Sequence, residues 1–274
     1  MRQSGRLTAQ QKESHGALGI FGGKAQVHDA LVRIAAESVM NNLQGKYPQL
    51  SFGHRPSISK AEINAVLQEI DAYLGQMLFV SDASIKPDGG ILEVKDDCGN
   101  WRVIPVSEAK YQGKDIENIR KGILVGKNSN QDLMVAGNAI ERAHKNIAEI
   151  ANYMLAESHF PYVLFLEGSN FLTQSITLDR PDGRSVTLDY ASGTLNRLDR
   201  LTAANYGMPL NTNLCRNKFI PHYDKMIMLQ AASIYTQGSG ERWNEREMSS
   251  VMLDIAETSL KVLGSDLFCQ LAVR

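Results

Sequence analysis

The stretch KPDGGILEVKDDCGNWRVIPVSEAK, residues 86–110, decides the fold. Two runs of strand-forming residues, GILEVKD at 90–96 and WRVIPVSEAK at 101–110, flank the tripeptide Asp97-Cys98-Gly99. Gly99 can adopt the positive φ that a three-residue hairpin loop requires. The stretch therefore predicts an antiparallel β-hairpin.

The register of this hairpin decides which side chains share a face of the sheet. If Asp96 faces Asn100, the same register places Asp88 opposite Glu108, with both side chains on one face. A slip of one residue would move Asp88 to the other face. Pro105 lacks the N–H group that a sheet ladder needs. We therefore expect the second strand to be an edge at that point, to contain a bulge, or to start at the next residue.

Outward from the hairpin, the hydrophobic periodicity predicts alternating helices and strands. Ser59 and Glu62 form a candidate capping box for a helix that ends at Gly75, and Ile58 can contact Ile63 as a hydrophobic staple. The remaining predicted elements are helices at 24–44, 115–124, 131–156 and 245–263, strands at 76–81, 162–168 and 225–236, and a hairpin at 175–190 that turns at Pro181-Asp182-Gly183. This order indicates an α/β fold.

The composition limits the class of protein. The 274 residues are 43% hydrophobic, carry 29 Lys+Arg against 30 Asp+Glu, and have a net charge of −1. No apolar run is long enough to span a membrane, and residues 1–23, a polar and glycine-rich arm, lack the apolar region of a secretion signal. The three cysteines, Cys98, Cys215 and Cys269, are unclustered. We therefore expect one domain in a reducing cytoplasm, with no membrane partner.

The charge balance argues only weakly against a nucleic-acid partner, because a global count does not detect a local basic patch. Residues 1–24 and 102–127 both carry more basic than acidic side chains. These stretches can face phosphate groups, or they can be ordinary solvated surface.

Asp88, Glu108 and Lys110 form a candidate hydrolytic cluster. Glu108 and Lys110 are two apart on a predicted strand and therefore share a face. Two adjacent carboxylates repel each other unless a cation joins them, and carboxylate oxygens suit Mg²⁺. The pattern indicates metal-dependent phosphodiester hydrolysis. It is short, however, and a surface hairpin with ordinary charges stays open. Glu93-Val94-Lys95 is a second acid-x-Lys triplet, too close to Asp88 for an intervening turn and return strand.

The predicted helix at 131–156 has two faces of interest. Asn138, Glu141 and Arg142 share one face, and these residue types can form hydrogen bonds with base edges. A solvated helix face explains the same spacing. The apolar seam can pack within its own subunit or against a symmetry mate. Its members are Leu133, Ala136, Ile140, Ala143, Ile147, Ile150 and Met154.

Longer strings carry a resemblance that spacing alone does not supply. They are EVKDD, SEAKYQGKDIENIR, QDLMVAGNAIERAHKNIAEIANYML, SHFPYVLFLEGSNFLT and LNRLDRLTAANYGMP, together with residues 84–90. The chain resembles the EcoRI family of restriction endonucleases from about Arg6 to Leu271. Differences scattered through the strings indicate a close relative with the same site preference, an isoschizomer of the type enzyme.

The resemblance implies a PD-(D/E)xK core, that is, a mixed β-sheet flanked by helices, with arms that embrace DNA. It implies a single endonuclease domain with a catalytic and recognition core at 76–168 and a DNA-contacting excursion at 169–206. The family enzyme is a homodimer that recognises the palindrome GAATTC in double-stranded DNA and cuts between G and A on each strand. A cognate DNA adenine methyltransferase that protects the host's own sites is also implied.

The resemblance also assigns roles to residues. Mg²⁺ would be held by Asp88, Glu108 and the backbone carbonyl of Ala109, with Lys110 as the third catalytic side chain. Base recognition falls on Gln112, Met134, Val135, Asn138, Ala139, Glu141, Arg142 and Arg200, and other DNA contacts on Lys86, Lys114, Lys127, Lys145 and Arg197. Two departures from the family pattern stand out. Tyr111 replaces a histidine after the catalytic lysine, which removes a protonatable neighbour, and Val135 replaces a smaller alanine.

Two other functions stay open at this point. A sequence-specific DNA-binding protein without cleavage activity would carry Asp88, Glu108 and Lys110 as surface remnants. A repair or structure-specific nuclease on the same core would cleave without requiring GAATTC. Metal-dependent cleavage separates the first from an endonuclease, and dependence on the site separates the second.

Overall fold

A computed structural model describes residues 24–76, 82–123, 137–189, 193–264 and 267, with backbone alone at 24–28, 137–139 and 193–197. The helices are α1 (Lys24–Lys46), α2 (Lys60–Ile70), α3 (Asp115–Arg120), α4 (Gly137–Tyr153), α5 (Gly193–Ala204) and α6 (Glu245–Leu263). The strands are β1 (Phe52–Arg55), β2 (Ile58–Ser59), β3 (Ser84–Ile85), β4 (Gly90–Lys95), β5 (Trp101–Tyr111), β6 (Tyr162–Glu167), β7 (Ile176–Asp179), β8 (Ser185–Leu188), β9 (Lys218–His222), β10 (Lys225–Leu229) and β11 (Ser233–Thr236).

Five strands form a mixed central sheet in the order β1-β4-β5-β6-β11. Strands β1, β4 and β5 are antiparallel neighbours, whereas β5, β6 and β11 run parallel. The helices flank this sheet, so the predicted α/β class with a mixed sheet is confirmed. Among the described residues, no helix combines the length and apolar character that crossing a bilayer requires.

The hairpin at 86–110 forms as predicted near its turn. The Asp96 N–H donates to the Asn100 carbonyl at 2.8 Å, and Gly99 has a φ of +87°. The predicted register holds from Lys95 to Glu93 and then shifts by one residue at a β-bulge between Ile91 and Glu93. The extrapolation of that register to Asp88 is therefore wrong.

Pro105 explains why the ladder is irregular there. Two residues of β5, Ile104 and Pro105, lie opposite the single residue Leu92 of β4, so Pro105 is part of the bulge, where it has no N–H to donate. On its other side, β5 begins to pair with β6 only at the next residue, Val106, whose N–H donates to the Pro161 carbonyl at 3.0 Å. The proline thus lies where neither neighbouring strand requires its missing donor.

Side chains of β5 enter both layers of the core, and the irregularity at Pro105 interrupts their alternation, so that Ile104 and Val106 lie in opposite layers although they are two residues apart. Ile104 points to the face covered by α1 and α6, where it packs with residues such as Val39 and Ile255. Val106 points to the face covered by α2, α4 and α5, where it packs with Ile150 and other buried side chains. From Val106 onward the pairing with β6 is regular and the side chains alternate, so positions 108 and 110 also project toward α4.

The seam of α4 packs inside its own chain. Ile140, Ala143, Ile150 and Met154 are buried in the layer between α4 and the sheet, and Ile147 packs against them. For these residues the interpretation as a dimer interface is wrong. Leu133 and Ala136, also assigned to the seam, lie outside the described residues.

Helix α2 begins as predicted but ends early. The Ser59 hydroxyl accepts the Glu62 N–H at 3.1 Å, and the staple residue Ile58 is buried in the same layer as Ile63. Asp71 takes an extended conformation, so the helix ends at Ile70 and not at Gly75. Similarly, α3 ends at Arg120 and α4 at Tyr153.

One predicted strand is wrong. The apolar run 225–236 divides into two strands with different surroundings. Strand β10 pairs with β9 in an exposed hairpin, whereas β11 is largely buried beside β6. An apolar composition does not distinguish these two environments. Most of the predicted strand at 76–81 lies outside the described residues.

Burial of the α4 seam predicts the effect of a cavity there. Ile150 has no exposed surface, so Ile150→Ala should lower the free energy of unfolding by about 3 kcal/mol, because it removes buried methyl groups and leaves a void. Ile34→Ala on α1, at a position that is 49% exposed, should cost less than about 1 kcal/mol. Urea denaturation measures both variants. Equal losses would contradict the packing described for α4.

Candidate active site

Asp88 lies in a tight turn immediately before β4. The Gly90 N–H donates to the Pro87 carbonyl and the Gly89 N–H donates to the Ser107 carbonyl, both at 3.0 Å. A ring nitrogen of His54 lies 3.0 Å from the carbonyl oxygen of Gly89. These contacts fix the turn against β1 and β5, and they bring Asp88 beside β5 without making it part of the ladder.

Three predicted side chains meet at this position. The Lys110 Nζ lies 2.7 Å from Asp88 Oδ2 and 2.5 Å from Glu108 Oε1. It also donates to the carbonyl oxygen of Ala109 at 3.1 Å, and the Ala109 N–H donates to Asp88 Oδ2 at 3.3 Å. One ammonium group therefore bridges both carboxylates and a backbone carbonyl.

Glu108 is buried on the α4 side of the sheet. The Asn146 amide group on α4 donates to both carboxylate oxygens at 3.1 Å. The Tyr162 hydroxyl on β6 donates to Oε2. The sequence analysis did not identify either donor. Two signals pointed to them: Asn146 follows Arg142 by one helical turn, and Tyr162 carries a polar group at the start of an apolar strand.

Burial and charge act in opposite directions on the cluster. Burial raises the pKa of Glu108, and the nearby Lys110 ammonium partly offsets this. Burial lowers the pKa of Lys110, but the charges of Glu108 and Asp88 outweigh it, so the pKa is raised overall. The contacts of Lys110 are those of an ammonium group placed between two carboxylates. Burial, together with the charge of Glu108, raises the pKa of Tyr162 well above its ordinary value.

The donor set fits a hard divalent cation. The part of the chain that the structure describes has no group of three or more His, Cys, Asp or Glu side chains that could hold a metal. The cluster at Asp88 has only two such side chains, but its two carboxylates and the Ala109 carbonyl all contact one positive charge, the Lys110 ammonium. Mg²⁺ prefers oxygen ligands and keeps several waters, so few protein ligands suffice.

The competing triplet Glu93-Val94-Lys95 has a structural role. Glu93 is buried and lies 3.1 Å from Arg55 Nη2. The same guanidinium donates to Glu62 at 2.7 Å and to the Tyr153 hydroxyl at 3.0 Å. These contacts join β1, β4, α2 and α4, so the triplet contributes to packing and lies apart from Asp88.

Tyr111 lies on the opposite side of β5 from Lys110. The Arg242 guanidinium stacks 5.7 Å from its ring centroid, and its hydroxyl is 3.5 Å from Glu117. That the replacement of histidine by Tyr111 changes the cleavage rate stays a prediction. Burial raises the pKa of its hydroxyl.

The residues predicted to recognise bases or to make other DNA contacts lie on several elements. Glu141, Arg142 and Lys145 are exposed on α4, and Arg142 precedes Asn146 by four residues, on the same face. Gln112 is half-buried directly after β5, and the exposed candidates elsewhere are Lys86, Lys114 and Arg200. Lys127, Met134, Val135 and the side chains of Asn138, Ala139 and Arg197 lie outside the described residues.

Comparisons with known proteins extend over nearly the whole chain. Residues 14–270 match the family model described as restriction endonuclease EcoRI. The type II restriction enzyme EcoRI of Escherichia coli is 66% identical over 270 residues, which cover 98% of each chain. The type II restriction enzyme RsrI of Cereibacter sphaeroides is 49% identical over 265 residues, which cover 97% of this chain and 95% of the relative.

The turn that holds Asp88 tolerates no side chain at Gly89. A Cβ atom there would lie 2.1 Å from the Ser107 Oγ. Gly89→Ala should lower the free energy of unfolding by about 1–3 kcal/mol, and adding Ser107→Ala should recover part of that loss. Gly45→Ala, where the Cβ would meet nothing within 4 Å, should leave stability unchanged or raise it. Unfolding in urea tests the series; wild-type stability of Gly89→Ala would contradict the close approach.

Proposed function

Because the chain belongs to the EcoRI family of restriction endonucleases, we propose that it is a type II site-specific deoxyribonuclease for GAATTC. It cleaves both strands of double-stranded DNA between G and A and leaves 5′-phosphates on four-nucleotide 5′ overhangs. The observation that carries this proposal is the convergence of Asp88, Glu108 and the Ala109 carbonyl on Lys110, beside the helix that presents Glu141 and Arg142.

We propose Mg²⁺ as the cofactor, held by Asp88, Glu108 and the carbonyl oxygen of Ala109. When bound, the ion would lower the pKa of a coordinated water and offset charge on the reacting phosphate. The oxygen-only donor set supports this assignment. The two carboxylates confer a local negative charge that favours a cation even though the chain as a whole is nearly neutral.

The chain's own residues have separate tasks in this mechanism. Lys110, whose side chain is 17% exposed, carries its positive charge at the border between the buried cluster and solvent. Its ammonium can donate a hydrogen bond to the attacking water or to a phosphate oxygen, and it offsets negative charge as the phosphodiester bond breaks. Its raised pKa supports a role as a cation and donor throughout.

Recognition of the bases is assigned to α4 and its surroundings. Arg142 can donate two hydrogen bonds to guanine, and Glu141 can accept from a base amino group. Both side chains are exposed on the helix that also contacts Glu108. Gln112, Met134, Val135, Asn138, Ala139 and Arg200 complete the proposed set of base contacts. Lys86, Lys114, Lys127, Lys145 and Arg197 are proposed to contact the DNA backbone, with affinity that falls as salt rises.

A palindromic site favours a two-fold symmetric protein, and we propose a homodimer. The β9–β10 hairpin supports this, because five of its large apolar side chains are exposed in the single chain. They are Phe219 (55%), Ile220 (43%), Tyr223 (94%), Met226 (63%) and Ile227 (42%). Large apolar side chains exposed together on one hairpin favour protein–protein contact. This hairpin replaces the α4 seam as the candidate interface.

The proposed activity has consequences for the cell that contains it. An enzyme that cuts GAATTC in the cytoplasm would also cut the host chromosome. We therefore propose a functional partner, a DNA adenine methyltransferase that modifies the same sequence. The core at 76–168 would supply catalysis and recognition, and 169–206 further contacts to DNA.

Glu108→Gln tests the catalytic assignment. The variant keeps the size of the side chain but removes a charged ligand, so it should bind a GAATTC duplex normally and cleave at least about 1000-fold more slowly. A plasmid with one GAATTC site, incubated in Mg²⁺, Ca²⁺ or EDTA and followed by sequencing of the ends, measures this. Wild type should cut once, in Mg²⁺ only.

The controls separate the rival functions. Glu37→Gln, at an exposed position on α1, should cleave as wild type does. Tight binding without cutting by the wild-type protein would indicate a DNA-binding protein, and cutting regardless of GAATTC would indicate a structure-specific nuclease. Normal cleavage by Glu108→Gln would show that the catalytic carboxylate has been assigned wrongly.

Met226→Asp tests the proposed dimer surface. A charge at the centre of the exposed hairpin should be unfavourable once it is desolvated at an interface, so the variant should sediment as a folded monomer. Tyr73→Asp, at a position that is 89% exposed elsewhere, should sediment as wild type does. A dimer that survives Met226→Asp at micromolar concentration would exclude the hairpin as the interface.

A further inference from the structure

Two neutral side chains inside the protein donate hydrogen bonds to the carboxylate of Glu108. The Tyr162 hydroxyl donates to Oε2, and the Asn146 amide group donates to both oxygens at 3.1 Å. Glu108 and Tyr162 have no exposed surface. Water therefore does not supply these hydrogen bonds, and the two side chains do.

The sheet register explains why a tyrosine reaches this carboxylate. Parallel pairing of β5 and β6 places Tyr162 beside Val106 and Leu164 beside Glu108. Tyr162 is thus a diagonal neighbour of Glu108 on the same face, and diagonal neighbours are separated by roughly 7–8 Å between Cα atoms. An aromatic side chain with a terminal hydroxyl spans that distance, whereas serine or threonine does not.

Lys110 cannot fix Glu108 in the same way. Its ammonium divides its contacts among Glu108, Asp88 and the Ala109 carbonyl, and its side chain is partly exposed. Its contact with Glu108 is thus one of three, and it does not by itself define the plane of that carboxylate. The bonds from Tyr162 and Asn146 end on Glu108 and come from two different elements, β6 and α4.

We propose that Tyr162 and Asn146 are positioning residues that fix the plane of the Glu108 carboxylate so that it can bind a divalent cation. This inference rests on the proposed metal-dependent function. Groups that hydrogen-bond to a metal ligand orient it, and their loss weakens metal binding without removing a ligand. Neither residue touches substrate or metal in this role.

Calorimetric titration of Ca²⁺ into the complex of the protein with a GAATTC duplex measures the role directly. Tyr162→Phe keeps the ring and removes the hydroxyl, and it should weaken Ca²⁺ binding by about 10- to 100-fold. The Mg²⁺ concentration that half-saturates cleavage should rise by a similar factor, and excess Mg²⁺ should restore most of the rate. DNA affinity in EDTA should not change.

Matched variants distinguish positioning from general stability. Tyr153→Phe loses two part-buried hydrogen bonds, from Arg55 and to Glu62, but should bind Ca²⁺ as wild type does. Asn146→Ala should reproduce the effect of Tyr162→Phe, whereas Asn152→Ala, about 9 Å further along the axis of α4, should not. Should Tyr162→Phe fail to fold, as thermal melting would show, Asn146→Ala decides the proposal by itself.

Each outcome has a defined meaning. Wild-type Ca²⁺ affinity in both Tyr162→Phe and Asn146→Ala, with binding lost in Glu108→Gln, would overturn the positioning role and leave the proposed function intact. Weaker DNA binding by Asn146→Ala in EDTA would overturn its assignment, because it would show a direct DNA contact. Absence of Ca²⁺ binding by wild type would overturn the inference and the proposed metal site together.

Discussion

A carboxylate buried in the face of the central sheet is the constraint on which the rest of the site depends. Removing Glu108 from water costs several kcal/mol unless charge and hydrogen bonds compensate. Compensation comes from three elements: Lys110 on the same strand, Tyr162 on the neighbouring parallel strand, and Asn146 on the covering helix. The hydrogen bonds of this one side chain therefore require β5, β6 and α4 to keep fixed positions relative to one another.

Asp88 reaches the same point by a different route. The bulge that contains Pro105 shifts the hairpin register, and the paired part of β4 begins only at Gly90, so Asp88 lies outside the ladder. The carboxylate is then aimed by a turn that Gly89 allows to approach Ser107 and that His54 supports from β1. The two acidic side chains thus differ in their support, since one is fixed within a strand and the other at the end of a turn. A bulge beside a functional site commonly re-aims a side chain in this way.

Local signals in the sequence predicted much of this structure. The turn at Gly99, the cap at Ser59 and the apolar run of β6 are each determined by a few adjacent residues, and each was predicted correctly. The membership of Glu108 and Lys110 in one cluster also follows from local spacing on a strand.

Features that depend on distant parts of the chain were not predictable. The division of residues 225–236 into an exposed and a buried strand depends on which strands pair with its two halves. The hydrogen-bond donors to Glu108, Asn146 and Tyr162, lie 38 and 54 residues further along the chain. No periodicity in the sequence indicates that they contact it.

The burial of α4 fixes the distance between its exposed side chains and Glu108. The helix presents Glu141 and Arg142 to solvent, donates to Glu108 through Asn146 one turn later, and packs Ile150 and Met154 into the core. A further buried ion pair joins Glu149 to Lys60 on α2. A helix fixed by both apolar packing and ionic contacts does not shift freely along the sheet, because close-packed layers resist small displacements.

Exposed side chains on α4 therefore stand at fixed distances from Glu108. A DNA duplex in register with those side chains would meet the cluster at one phosphate, and a duplex out of register would not. Under the proposed function, the fixed position of α4 would couple base recognition by Glu141 and Arg142 to the position of the scissile bond.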